Sequence, residues 1–194
     1  MNEKQAKQLA QENLSAKRLQ HTLNVRDMAV MLAEKNGVDT QKAAVAALLH
    51  DIAKELPKEQ MLQIFHDNAI MAENAPNRPV PVWHGICGAI LAKIRWGVED
   101  EEILSAIRCH TTGRPAMTTL DKIIFLADMT SAERNYPEVE QLRQLEQQNL
   151  NQAMLQAMEM TVAWLKESNK PMDELSLKTL EYLRQKDNEG DSAV

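Results

Sequence analysis

The chain has 194 residues, enough for one domain with a sizeable core. Hydrophobic residues make up 44% and aromatics only 4%, a balance that excludes disorder as the default and favours helix over sheet. A net charge of -6 argues against a broad nucleic-acid-binding surface but leaves room for a local basic pocket.

Residues 2 to 14 predict a short, mostly polar surface helix. Ser15 is suited to cap the next helix, about 16 to 35, in which Leu19, Leu23, Met28, Met31 and Leu32 make an apolar stripe with His21 inside it. Gly37 closes that helix, and Asp39 caps one from about 40 to 55 that carries His50 and Asp51. Leu56-Pro57 stops it, and a helix at about 58 to 67 follows. Pro76, Pro79 and Pro81 make Asn74 to Val82 a loop. Trp83 to Trp96 reads as a helix with His84 in its first turn, and Asp100 to His110 as an amphipathic one. Thr111-Thr112-Gly113-Arg114-Pro115 is a tight polar loop. Thr118 and Asp121 form a capping box for a helix to about Ala132 that contains Asp128. Beyond Pro137 come helices at about 138 to 147 and 151 to 168. The Met154, Leu155, Met158, Val162 and Leu165 stripe of the second is read as core. Pro171 precedes a last helix, Glu174 to Lys186, and a frayed tail, Asp187 to Val194. No period-2 strand pattern occurs, so the expected fold is all-α.

The two cysteines, Cys87 and Cys109, form no C-x-x-C pair. They read as small buried hydrophobes and fit a reducing cytoplasm. The polar stretch from Met1 to Gln11 is not a signal peptide, and no run approaches the roughly 20 apolar residues of a membrane span.

The chemistry centres on Ala47-Leu48-Leu49-His50-Asp51-Ile52-Ala53-Lys54, a histidine and an aspartate inside an apolar run. Burying an unpaired carboxylate costs on the order of several kcal/mol unless something compensates. A cation held by a neutral imidazole and an anionic oxygen does so. Asp128, set among Ile123, Ile124, Phe125, Leu126, Ala127 and Met129, is a second acid in apolar surroundings. Paired buried acids repel, and a shared cation accounts for both.

The order His21, His50-Asp51, Asp128, with His84 and His110 between, resembles the HD-domain metal-dependent phosphohydrolases, a helical-bundle family with an H…HD…D motif. The segments Arg18 to Asn24, His84-Gly85, His110 to Pro115 and Leu126 to Asp128 bring the resemblance closer to the YqeK-type branch, the symmetrical dinucleoside tetraphosphate hydrolases. It implies a single domain over 1–194, with an HD metal-binding core at 16–135 and C-terminal helices at 136–186 packing on it. It implies His21, His50, Asp51 and Asp128 as metal ligands. His84 and His110 correspond to histidines that complete a second metal position or contact substrate phosphates. The resemblance further implies iron, as one or two ions, and hydrolysis of diadenosine tetraphosphate to two ADP. This sequence reads Met129-Thr130-Ser131-Ala132-Glu133-Arg134 after the aspartate, where many relatives carry Tyr-Ile-Glu-Pro.

A cation with N and O ligands lowers the pKa of bound water, and the hydroxide attacks phosphorus. The polyphosphate needs cationic partners. Lys54 shares a helical face with His50 and Asp51, Arg18 with His21, and Thr111 and Arg114 follow His110; Arg134 is a more distant candidate. A leaving ADP needs no general acid once neutralised. No P-loop, Rossmann or zincin motif is present. Competing readings are another HD-superfamily nucleotide phosphohydrolase or phosphodiesterase, a non-catalytic nucleotide sensor, and a helical adaptor. No nucleic-acid or membrane partner is expected, and a homodimer is left open.

Overall fold

The computed structural model describes residues 1–72 and 74–191, and they form helices and turns with no strand among them. The helices are α1 (Glu3–Asn13), α2 (Ala16–Lys35), α3 (Thr40–Leu49), α4 (Lys58–Asp67), α5 (Ala69–Ala72), α6 (Trp83–Ile94), α7 (Glu101–Cys109), α8 (Thr119–Thr130), α9 (Val139–Gln148), α10 (Leu150–Glu167) and α11 (Glu174–Asp191). The all-α expectation holds, and among the described residues no helix is long and apolar enough to cross a membrane.

The helix α3 is the axis of the bundle. Every residue from Ala43 to Leu49 is buried, as an all-apolar helix must be in a globular protein. Its four alanines present little side-chain bulk, so α1, α2, α7 and α8 all pack on it. Ala6 and Ala10 of the polar-looking α1 are fully buried, so that helix is docked by a narrow stripe of small residues. A smaller core of Met61, Phe65, Trp83, Ile86, Cys87 and Ile90 joins α4 to α6. Both cysteines are buried and free.

Helix starts follow their caps. Ser15, Asp39, Asp100 and Thr118 each accept from backbone N–H groups of the following turn. Helix ends depart more from expectation. The helix α3 stops at Leu49, not near 55, and residues 50 to 56 continue as turns. There Lys54 N bonds Asp51 O at 2.8 Å and Leu56 N bonds Ala53 O at 3.2 Å. The His50 ring takes the Ala47 carbonyl at 2.6 Å, an acceptor that a continuing α-helix would give to Asp51 N–H. The helix α8 ends at Thr130, not Ala132, because the Arg143 guanidinium of α9 donates to the carbonyls of Thr130 (2.9 Å) and Ser131 (2.8 Å).

The stripe expected on α2 holds for Leu32, which is buried, and for Leu19, Leu23 and Met28, which pack against the core, but not for Met31. Met31 is 42% exposed, whereas Thr22, Val25, Ala29 and Ala33 are buried, because α3 and α8 both cover α2 and select small residues for close approach. The proline-rich loop contains two short 3-10 turns, Ala75–Asn77 and Val80–Val82. The last helix runs to Asp191, past the expected end at Lys186, so residues 187–191 are helical. The rest of the expected frayed tail, 192–194, lies outside the described residues.

Glu146 is a buried acid, outside the main cluster of ionisable groups, with no cationic ion-pair partner among the described residues. Glu146 of α9 is 1% exposed, accepts a bond only from Thr130 Oγ1 at 3.0 Å, and leaves Oε1 unpartnered. Burial pushes its carboxyl from the usual 4.5 up to about 7, against the Thr130 bond and the charge of Arg143. The folded state therefore holds this proton where the unfolded chain releases it. Its contribution is fully present below pH 4.5 and is lost as pH rises towards 7. Glu146→Gln is expected to leave stability unchanged near pH 4 and to raise it by about 2 kcal/mol at pH 8, read by urea unfolding at both pH values.

Candidate metal centre

Five helices converge on one buried cluster. The helix α2 carries His21, the end of α3 carries His50 and Asp51, and α8 carries Asp128. The first turn of α6 carries His84, and the end of α7 carries His110. His50, Asp51, His84 and His110 are buried, and His21 is 9% exposed.

The ends of α3 and α7 repeat one device. Each helix stops at the residue before a histidine, and each ring bonds the carbonyl three residues back, His50 Nδ1 to Ala47 O at 2.6 Å and His110 Nδ1 to Ile107 O at 2.7 Å. A carbonyl only accepts, so both rings carry their proton on Nδ1 and aim an Nε2 lone pair inward. The negative ends of the two helix dipoles point the same way and favour positive charge between them.

His21 is set by a residue that was not singled out from the sequence. Its Nδ1 makes a short bond to Glu133 Oε1. Its Nε2 then faces Asp128 Oδ1 at 3.1 Å and Asp51 Oδ2 at 3.8 Å, while His50 Nε2 lies 3.5 Å from the same Asp51 oxygen. All four are acceptors, and both Nε2 atoms are buried with no hydrogen-bond partner. On the other side of Asp51, Oδ1 lies 3.1 Å from His84 Nε2 and 3.6 Å from His110 Nε2, and the two ring nitrogens are 3.0 Å apart. Lys54 Nζ donates to His84 Nε2 at 3.2 Å, so that nitrogen is also a lone-pair site.

Asp51 thus joins two groups of facing acceptors, His21-His50-Asp51 and Asp51-His84-His110, each within 4.8 Å, and a third group, His50-His110-Asp128, overlaps both. Facing lone pairs repel unless a proton or a cation lies between them. Neutral imidazole nitrogens with carboxylate oxygens make a donor set suited to a borderline divalent cation, so the residues fit one, and the two clusters fit two.

The electrostatics agree. Burial would raise the Asp51 carboxyl, but the imidazoles of His50, His110 and His84 around it hold it well below the usual range. Burial likewise opposes ionisation of Asp128, and the neighbouring His21 and His50 rings with the charge of Arg134 outweigh it. Burial first, then the neighbouring His110 and Lys54, lower His84 to about 4, so it is neutral near pH 7. Two ionised carboxylates and a neutral imidazole in one pocket call for positive charge.

The candidate phosphate contacts divide. Arg18 donates to Asp51 Oδ2 at 2.8 Å and is one-third exposed, so it stands at the rim. Lys54 reaches the second cluster, carried there by the turns after α3. Arg134 bonds the backbone and carboxylate of Asp128. Arg114 is not brought to the centre. Its guanidinium bonds the fully buried Asp121 at 2.7 Å, Ser105 Oγ at 3.0 Å and the Pro115 carbonyl at 3.3 Å. Asp121 is a nearer claim on that charge than an exposed ligand, which a one-dimensional reading of the loop could not reveal. Thr111, one residue past His110, has a buried hydroxyl with no partner.

Glycines set two approaches. Gly85 lies against α7 so closely that a Cβ there would sit 2.9 Å from the Arg108 carbonyl, 3.1 Å from that of Ile107 and 3.3 Å from the His110 ring. Gly113 has a left-handed φ of 64°, and a Cβ there would lie 2.6 Å from Thr179 of α11, so the loop after His110 is pressed against the C-terminal helix.

Residues 18–133 match the HD domain family model. The chain is 41% identical over 172 residues to the symmetrical bis(5'-nucleosyl)-tetraphosphatase of Bacillus subtilis, covering 89% of this chain and 92% of that protein. It is 38% identical over 183 residues to the protein of the same description from Halalkalibacterium halodurans, covering 94% and 97%. A Clostridium acetobutylicum crystal structure, described as an HD superfamily hydrolase involved in NAD metabolism, superposes with a TM-score of 0.87 at 35% identity, covering 94% of this chain and 97% of that one.

Gly85→Ala tests the approach of α6 to α7. Its Cβ must push the helices apart, so a loss of about 2 kcal/mol in urea unfolding is expected. Weaker Mn(II) binding in a calorimetric titration should accompany it, because the His84 and His110 nitrogens separate.

Proposed function

The chain belongs to the HD-domain family, and from that membership and the paired acceptor clusters around Asp51 we propose that it is a metal-dependent hydrolase cleaving diadenosine tetraphosphate, and related dinucleoside polyphosphates, symmetrically to two ADP. The curated relatives named as symmetrical tetraphosphatases match along nearly their whole length, which supports this substrate over other phosphate esters. The observation that carries the chemistry is the facing of lone pairs across Asp51 in a buried pocket.

His21, His50, Asp51 and Asp128 are the proposed ligands of a divalent cation, with His84, His110 and Asp51 the ligands of a second. Iron is the proposed ion, in keeping with N and O donors of borderline hardness. A bound divalent cation supplies Lewis acidity towards phosphate oxygens and lowers the pKa of water towards neutrality. The chain's own residues do the rest. The carbonyls of Ala47 and Ile107 keep the His50 and His110 lone pairs inward, and Asp51 places one oxygen towards each cluster. Arg18 at the rim and Lys54 beside His84 are placed to neutralise phosphate oxygens of the substrate and of the departing ADP, so no general acid is needed there. Arg134 orients Asp128 and, at 39% side-chain exposure, offers its outer face to phosphate.

We treat residues 1–194 as one domain, with an HD core at 16–135 and the helices of 136–186 as its buttress. The contacts of Arg143 with the end of α8 and of Thr179 with Gly113 support that division of labour. Placement in the cytoplasm accords with two unpaired cysteines.

Product analysis decides between this reading and its rival within the same superfamily. With diadenosine tetraphosphate and Fe(II) or Mn(II), ADP is expected as the sole product. ATP plus AMP, or turnover confined to nucleoside monophosphates or cyclic esters, would overturn the assignment. Asp51→Asn leaves both clusters short of a charged oxygen, and its activity is expected to fall roughly 1000-fold, about 4 kcal/mol of barrier. Elemental analysis of the same protein should show a matching loss of bound metal.

A further inference from the structure

The turn after α8 sends two charged side chains back onto the centre. Arg134 reaches Asp128, and Glu133 reaches His21. The Glu133 carboxylate is itself held on all sides. Oε1 accepts from His21 Nδ1 and from Ser131 Oγ at 2.9 Å, and Oε2 accepts from Asn24 Nδ2 at 2.6 Å. Asn24 stands three residues after His21 on α2, so the carboxylate bridges two residues on one helical face.

The turn itself is anchored from outside the stretch that matches the HD family. Arg143 of α9 donates to the carbonyls of Thr130 at 2.9 Å, Ser131 at 2.8 Å and Arg134 at 3.0 Å. Three bonds from one planar guanidinium fix the path of the backbone on either side of Glu133.

A free imidazole in this pocket has two ways to be neutral. With its proton on Nε2 it would donate to Asp128 Oδ1, 3.1 Å away, and present nothing to a cation. With its proton on Nδ1 it donates to Glu133 and presents an Nε2 lone pair. We propose that Glu133, held by Asn24 and Ser131 and delivered by the turn that Arg143 anchors, is a positioning residue that forces the second arrangement and so makes His21 able to bind a cation. Glu133 does not touch the reacting atoms; it acts through the ring of His21. A carboxylate accepting from the far nitrogen also raises the basicity of the near one. The proposal rests on the reading of His21 as a ligand.

The test uses the full chain with 15N-labelled histidine, first metal-free. In the wild type, the nitrogen chemical shifts of His21 should report a protonated Nδ1 and an unprotonated Nε2. In Glu133→Ala the proton should redistribute to Nε2, with Asp128 as its acceptor, whereas Glu133→Gln, which keeps an acceptor oxygen, should retain the wild-type pattern. Calorimetric titration with Mn(II) should then give a 10- to 100-fold weaker affinity for Glu133→Ala and recovery of most of it in Glu133→Gln. Unchanged His21 shifts in Glu133→Ala overturn the proposal, whether or not affinity falls, because a loss of affinity with the tautomer intact is only a structural effect. If wild-type protein takes up no Mn(II), the functional reading falls, while the metal-free shifts still decide whether Glu133 sets the ring.

Discussion

Two ionised carboxylates share a pocket from which most water is shut out, and the rest of the molecule answers to that fact. Asp51 is 2% exposed and Asp128 about one-fifth exposed at its side chain, and each is surrounded by imidazole nitrogens. Like charges facing one pocket repel in a low-dielectric interior. A cation among the imidazoles would turn the repulsion into shared attraction, and the helix ends, glycines and buttressing side chains hold the donor atoms that would meet it.

The placement relies on ending helices rather than continuing them. A histidine within a regular helix projects sideways from a saturated backbone. At the ends of α3 and α7 the last carbonyls are free, and His50 and His110 use them to orient their own rings. The same interruption frees residues 51 to 56 to turn, which swings Lys54 onto His84. Gly85 then lets α6 approach α7 until two ring nitrogens from different helices nearly touch.

Among the described residues, the helices after Pro137 contribute no side chain to the His and Asp groups, yet they shape the centre. Arg143 ends α8 two residues after Asp128 and holds the turn that returns Glu133 and Arg134. Thr179 of α11 backs the Gly113 turn behind His110, and Asp173 pairs with Arg78 in the segment that leads to His84. Residues far from the chemistry thereby set angles at which lone pairs meet.

The linear sequence determined what depends on neighbours along the chain. Caps at Ser15, Asp39, Asp100 and Thr118 mark helix starts because a side-chain oxygen meets N–H groups two or three residues on. The embedded acids at Asp51 and Asp128 stood out because charge inside an apolar run needs compensation. The same local logic put Met31, which is 42% exposed, in the apolar stripe of α2, ran the helix after Asp39 to 55, and gave no sign that Arg114 pairs with Asp121. Only the tertiary structure decided these, and only it revealed Glu133. Covering helices choose which face of α2 is buried, a buried Asp121 claims Arg114, and the partner of His21 lies 112 residues away in sequence. Hydrogen bonds and charge pairs are settled by distance in space, which spacing along the chain does not encode.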